Sequence, residues 1–365
     1  MAAVAQMAAP APARRRKPWI VSRAVDLSLI IGGSAAGYVY LLLFTVFHVP
    51  ASYLWWFWSV GFDGAHIFGT ASRTYFDAEA RAAHPKLLYG SLLFFFALGP
   101  VMVLLGMKGW LALLVGVWAY YHVIRQHYGF LVLYKVKSGD LASLDNVLDR
   151  VFLGVTMVAP PYYRFFVLHP NELGLRFSLA NTAPAMWAIV GATVFVWLAR
   201  QVARYVGWTS RSAFRADRNA AGASALPAPG APSTLKYLLF AAVIPLHWLT
   251  FRYLSWQAAV PTVTIVHNLQ YHAIIWLHNR NRYGGEGGAE RHGRIPAAVS
   301  RSLLAYVAAA VLFSAVYRIP GYALGNVSDL AFGFFCGFGL THYYLDSRIW
   351  RVRHDPGLRA ALDMA

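Results

Sequence analysis

Residues 122–127 read HVIRQH inside an otherwise apolar stretch, GWLALLVGVWAYYHVIRQHYGFLVLYK, and a near-echo, TVTIVHNLQYHAIIWLHNR, follows at 262–280. Each box holds two histidines five positions apart, His122 with His127 and His267 with His272. Two further groups pair an imidazole with a carboxylate. Asp63 and His66 are three apart in FDGAHIF, and His342 and Asp346 are four apart in THYYLD. Ionisable groups in apolar helices are costly and mark function. Neutral imidazole with carboxylate, and no thiolate, suits iron, zinc or manganese rather than a soft-metal site. These eight residues are therefore the candidate metal ligands, too many for one ion and suited to two.

The spacings say how they can be presented. Residues three or four apart lie on one helix face, so each Asp/His pair can address one ion, or the carboxylate can orient the imidazole through its second nitrogen. Residues five apart are about 140° apart on a regular helix. Either a π-bulge brings both rings of a box together, or the two rings address different partners, as two neighbouring ions would allow. Gln126 beside Arg125, and Gln270 beside Asn268, are placed to supply outer hydrogen bonds. Arg73, Arg125 and Tyr75 are candidates to orient a polar head at the mouth of the site. His278 is either a ninth ligand or an interfacial anchor. His48, His84, His169, His247, His292 and His354 fall in loops or at span ends and are left out.

The elements that must position these side chains are membrane helices. Of the 365 residues 58% are hydrophobic and 13% charged, against about 25% charged in an ordinary soluble protein, and the mean hydropathy is +0.46. Runs such as LLYGSLLFFFALGPVMVLLG and TAPAMWAIVGATVFVWLA have the roughly 20 apolar residues that a spanning helix needs. The expected fold is an all-α polytopic transmembrane bundle of roughly ten spans, at 27–47, 53–70, 87–106, 109–134, 148–168, 183–199, 236–256, 259–279, 302–318 and 326–346. Most of the 32 basic residues fall in alternate loops. Positive loops stay in the cytoplasm, which puts both termini there and makes the span count even. Net charge +17 is thus a topology signal, not a nucleic-acid patch. The start, MAAVAQMAAPAPARRRKPW, reads as a basic cytoplasmic segment without a cleavage site.

The organisation expected is a basic segment 1–26, a first helix group 27–199, a flexible linker 200–235, a second group 236–346 and a tail 347–365. The stretch PPYYRFF, 160–166, breaks the fifth span as a structural kink and places Arg164 toward the non-cytoplasmic side. The single Cys336 excludes a disulfide framework and a thiolate zinc site. The eight candidate ligands all fall in the cytoplasmic parts of the second, fourth, eighth and tenth helices, which run in one direction.

The His-x4-His boxes at His122/His127 and His267/His272, and the clustering toward one membrane face, resemble the histidine-box integral-membrane di-iron enzymes: desaturases, hydroxylases and alkane monooxygenases. The chain departs from that class in lacking His-x2-His-His and in its larger number of spans. The resemblance implies two iron ions, O2 as co-substrate, a lipidic substrate reached from the surrounding membrane lipid, and a separate reductase or ferredoxin as electron donor. The setting implied is the bacterial inner membrane. Polytopic carotenoid-cleaving dioxygenases with dispersed histidines are a looser likeness. Two other classes remain open on the residues alone. A bis-histidine haem electron carrier needs ligands facing each other on two helices, and a metal- or proton-coupled transporter places ionisable groups near the midplane.

Overall fold

The computed structural model describes residues 18–220 and 232–364, the side chains of 211–220 excepted. The described residues are helical throughout, with no strand. Ten long rods carry the fold: α1 (Arg23–Thr45), α2 (residues 51–73), α3 (Pro85–Leu104), α4 (Lys108–Ser138), α5 (Ser143–Leu168), α6 (Ala183–Ala220), α7 (Thr234–Tyr253), α8 (Trp256–Tyr283), α9 (Leu303–Gly325) and α10 (Asp329–Ile349). Six of them, α1, α3, α5, α6, α7 and α9, are long and apolar enough to cross a membrane. The other four, α2, α4, α8 and α10, are of similar length, and they are the rods whose polar residues were singled out above. The make-up is that of a membrane protein. Its outer surface agrees: Leu93, Phe94, Leu104, Phe195, Leu304 and Leu312 are all exposed, an apolar surface far larger than water tolerates.

The rods fall where the hydropathy placed them, with two informative extensions. Residues 200–220 of the expected linker continue α6 as helix, and 221–231 lie outside the described residues. Rod α9 runs on to Gly325, which brings Arg318 inside a helix instead of beyond its end. The Pro160–Pro161 pair does not end α5. The helix passes through both and closes in a π-helical turn, Tyr163–Leu168. Arg164 is buried there, bonded to Glu172 Oε1 at 2.5 Å, and Glu172 Oε2 in turn caps the start of α8 at Trp256 N.

Rod α8 is the centre of the bundle, buried along most of its length and packed against α1, α2, α4 and α7. The two helix groups of the sequence do not form separate bundles, because α8 lies on α1 and α10 lies on α3. The α3–α10 crossing is exceptionally close. A Cβ at Gly99 would stand 1.9 Å from the carbonyl oxygen of Gly333, so the contact exists only because both residues are glycine, as is common between membrane helices. Gly333→Leu is expected to push α10 off α3 and to cost at least about 1–3 kcal/mol, read as a lowered thermal midpoint in detergent.

The first and last described segments meet at one end of the bundle. Ile20, Leu358 and Leu362 share a buried cluster with Leu131, Tyr134 and Leu277 from the last turns of α4 and α8. The Asp26 carboxylate holds this entry segment by accepting from Ile20 N (2.7 Å) and Val21 N (3.0 Å). At the same end a buried charge network ties α4, α5, α6 and α7. Asp149 is bonded to Lys135, to Lys236 at 3.1 Å and to Trp197 Nε1 at 2.9 Å, and Arg200 and Arg204 pair with Asp145. The stretch from Lys135 to Arg150 is thus mostly helix, not loop, and the charge of Lys135 is neutralised in place by Asp149.

Candidate metal centre

Contacts between the four polar rods fix their relative direction. His66 of α2 meets His342 of α10, and one turn further along both chains Thr70 meets Asp346. The pairing advances in the same sense on both, so the rods are parallel. Rods α4 and α10 also start together, with Lys108 bonded to Asp329 at 2.6 Å. His122 and His342 then lie at one depth, about 20 Å along their rods at 1.5 Å per residue.

At that depth His66, His122, His267 and His342 converge, one from each rod. Ring centres are 4.5 Å apart for His66–His342, 4.8 Å for His122–His342, 4.9 Å for His122–His267 and 5.1 Å for His66–His267. All four are buried. Two overlapping groups have donor atoms close enough for one ion: His66, His267 and His342, and His122, His342 and Asp346.

Beneath the imidazoles lies a second tier, one helical turn on. Each rod that gives a histidine gives a hydrogen-bonding side chain at i+4: His66 and Thr70, His122 and Gln126, His267 and Tyr271, His342 and Asp346. Thr70 donates to Asp346 Oδ1 at 2.6 Å and Tyr271 donates to the same oxygen at 2.9 Å. With its hydrogen committed, Thr70 Oγ1 accepts from His342 Nδ1 at 2.7 Å. This fixes the tautomer and leaves His342 Nε2 as a bare lone pair aimed at His66 Nε2, 3.0 Å away. The approach of α2 to α8 that allows this depends on Gly69, where a Cβ would stand 2.6 Å from the Tyr271 ring.

The Asn268 amide completes the accounting, its nitrogen toward Thr264 O and His66 Nδ1, both at 3.2 Å, and its oxygen toward Asp63 N. With its Nδ1 accepting from Asn268, His66 donates through Nε2 to His342 Nε2. A cation held by those two nitrogens would take that proton's place, and its binding would release it. Two nitrogens on one ion at 2.0–2.1 Å each stand about 3 Å apart, which is the separation found. His122 Nε2 and His267 Nδ1 have no hydrogen-bond partner. A purely structural polar network would satisfy these nitrogens; a metal centre uses such lone pairs.

Five of the eight candidates are thus brought together: His66, His122, His267, His342 and Asp346. Three are not. Asp63 is ion-paired with Arg318 of α9 and stands 3.9 Å from His66 Nδ1. His272 turns away to the Tyr306 hydroxyl at 2.9 Å, and His127 turns toward His247. The cause is helix geometry. Rods α4 and α8 are regular α-helix through both boxes, so their histidines diverge, and the π-helical turn sits in α2 at Ser59–Asp63.

The polar helpers also take different posts. Gln126 Nε2 donates to His267 O at 2.8 Å and Gln270 Nε2 to Ile30 O at 2.7 Å, so both bond to backbone and not to a ring of the cluster. Arg73 stacks on Trp350, 4.0 Å from the ring centre, and donates to Ile349 O, at the end of α10 beyond Thr70. Arg125 is exposed and lies over the Tyr128 ring. His278 bonds to its neighbour Asn279 at 3.0 Å and is no part of the cluster. Thr70 and Tyr271 were missed from the sequence, although reading four residues on from each histidine finds both.

Comparison with known protein families, curated proteins and solved structures finds no match for this chain.

Two outcomes separate the cluster from its surroundings. Thr70→Val, which keeps the shape but removes the acceptor for His342 Nδ1–H, is expected to weaken metal binding by roughly 10–100-fold, measured by competition with a chelator. His272→Ala is expected to leave metal content unchanged, because His272 has its own partner outside the cluster.

Proposed function

We propose that the protein is a membrane-embedded non-haem metalloenzyme, an iron-dependent oxidase, hydroxylase or desaturase that uses O2 on a lipidic substrate. The observation that carries this reading is the meeting of four imidazoles and Asp346 beside an apolar cavity. That cavity, of about 210 Å³, is walled by Tyr75, Phe96, Phe313 and Phe338 and ends at Thr341 and His342. Drug-sized ligands fill roughly 300–1,000 Å³, so this space suits one segment of a hydrocarbon chain rather than a whole polar molecule.

His66, His122, His267 and His342 would hold the metal, and bound iron would supply the redox chemistry that O2 and a C–H bond require. The chain's own side chains do the rest. Thr70 and Tyr271 keep Asp346 as acceptor and His342 in the ligating tautomer, and the phenylalanine walls exclude water. Electrons would come from a separate reductase or ferredoxin. In this reading the bundle crosses a bacterial inner membrane ten times. Both termini lie in the cytoplasm, supported by the basic residues at the end where they meet, and the cluster lies in the cytoplasmic half.

Metal analysis of detergent-purified protein tests the reading. Iron bound at one or two equivalents is expected, and protein with no bound transition metal rejects it. Ala71→Phe, which fills the cavity beside the cluster, is expected to retain iron and to lose turnover of any lipidic substrate.

A further inference from the structure

His127 is fully buried on α4, and neither of its ring nitrogens has a hydrogen-bond partner. Beside it stands His247 of α7, equally buried, with ring centres 6.0 Å apart and ring planes at 87°. Spacing along the chain offers no reason to join them, since His247 sits alone in PLHWLTF near a span end.

The hydrogen bonds around His247 fix its proton. Pro161 has no N–H, so the carbonyl of Met157, four residues earlier in α5, has no helical donor. The Tyr120 hydroxyl fills that place, donating to Met157 O at 2.7 Å. Its only hydrogen being used, it accepts from His247 Nδ1 at 2.8 Å. His247 Nε2 is therefore an unprotonated lone pair, and it too has no partner. Leaving such polar atoms buried and unsatisfied is costly. This is the arrangement of a metal-ligating histidine whose far nitrogen is held by an outer partner.

The spacing fits one ion between the rings. Two imidazole nitrogens at about 2 Å on either side of an ion put the ring centres roughly 6 Å apart. The charge balance narrows the choice. No carboxylate acts on either ring among the described residues, and the polar side chains beside them are neutral, Gln270 alongside His127 and the Tyr120 hydroxyl on His247 Nδ1. A divalent ion here would carry two uncompensated charges into a low-dielectric interior, where each buried charge costs several kcal/mol. A monovalent ion carries one. Imidazole is a ligand for copper, and copper is the first-row metal with a stable monovalent state.

We propose that His127 and His247 form a second metal site, separate from the four-histidine cluster, that holds a single Cu(I) ion. This rests on its own pair of rods and not on the reading of the cluster, so either can fail alone.

The test exposes full-length detergent-purified protein to Cu(I) with ascorbate under nitrogen, then measures retained copper against a chromophoric Cu(I) chelator. One equivalent is expected in the unaltered protein and in His342→Ala. Affinity is expected to fall at least tenfold in His127→Gln and His247→Gln, and by a smaller factor in Tyr120→Phe. The glutamine variants keep a polar side chain of similar reach, and gel filtration confirms that they remain folded. Equal copper retention in all variants overturns the proposal. So does loss of copper in His342→Ala with retention in His247→Gln, which would put the ion in the cluster. A haem Soret band that disappears in His247→Gln overturns it too.

Discussion

Replacing His342 by alanine is expected to lower metal affinity by more than 100-fold, beyond the 10–100-fold typical of an outer partner. The reason is its position, since it belongs to both groups of donors that can reach one ion. The loss is expected to be functional more than structural. His342→Ala leaves His66 Nε2–H without its acceptor, while Thr70 keeps Asp346 and Tyr271, a cost of about 1–3 kcal/mol against a bundle held by ten rods. Metal content by mass spectrometry, with the thermal midpoint measured on the same preparation, separates the two effects. A His342→Ala protein that binds metal as the unaltered protein does would remove the four-histidine cluster as the metal centre. His66→Ala is expected to behave alike, while His272→Ala serves as the unaffected control.

The largest stability effect is expected at Asp149. Its carboxylate is fully buried and bonds to Lys135, Lys236 and Trp197 together. Asp149→Ala leaves two buried ammonium groups facing each other, and breaking a buried pair from one side costs about 3–5 kcal/mol. Asp140, 3.6 Å from Lys236, compensates only part of that charge. By contrast, the exposed Lys108–Asp329 pair is worth roughly 0–1 kcal/mol, so Asp329→Ala should barely move the thermal midpoint. Replacing Lys135 and Asp149 together by Met and Leu is expected to recover much of the loss, because apolar residues incur no desolvation cost. If Asp149→Ala is as stable as the parent, the network is not holding α4, α5, α6 and α7 together.

Both outcomes bear on how much could be read without a structure. Hydropathy with its punctuation placed all ten rods as helices, six of them apolar runs of spanning length, which have few alternatives to helix. Chemistry in an apolar setting singled out the right four rods, because an imidazole in such a helix is conspicuous by cost. It also supplied five residues that do converge. Helical periodicity further held the second tier, since Thr70 and Tyr271 follow their histidines by one turn, although that reading was not made.

Which histidine of each box faces the cluster was not legible. His122 and His127 are chemically alike in sequence, and only the packing of α4 against both α10 and α7 decides that one ring turns to His342 and the other to His247. Asp63 likewise reads as a ligand until α9 is seen to continue and bring Arg318 against it. His247 was invisible because its significance lies in a carbonyl freed by Pro161 on another rod and in the tyrosine that fills it. Local spacing fixes the direction of a side chain relative to its own helix axis. The rotation and depth of that helix among its neighbours come from close contacts such as Gly99 on Gly333 and Gly69 on Tyr271, which are properties of pairs of rods and are written in neither rod alone.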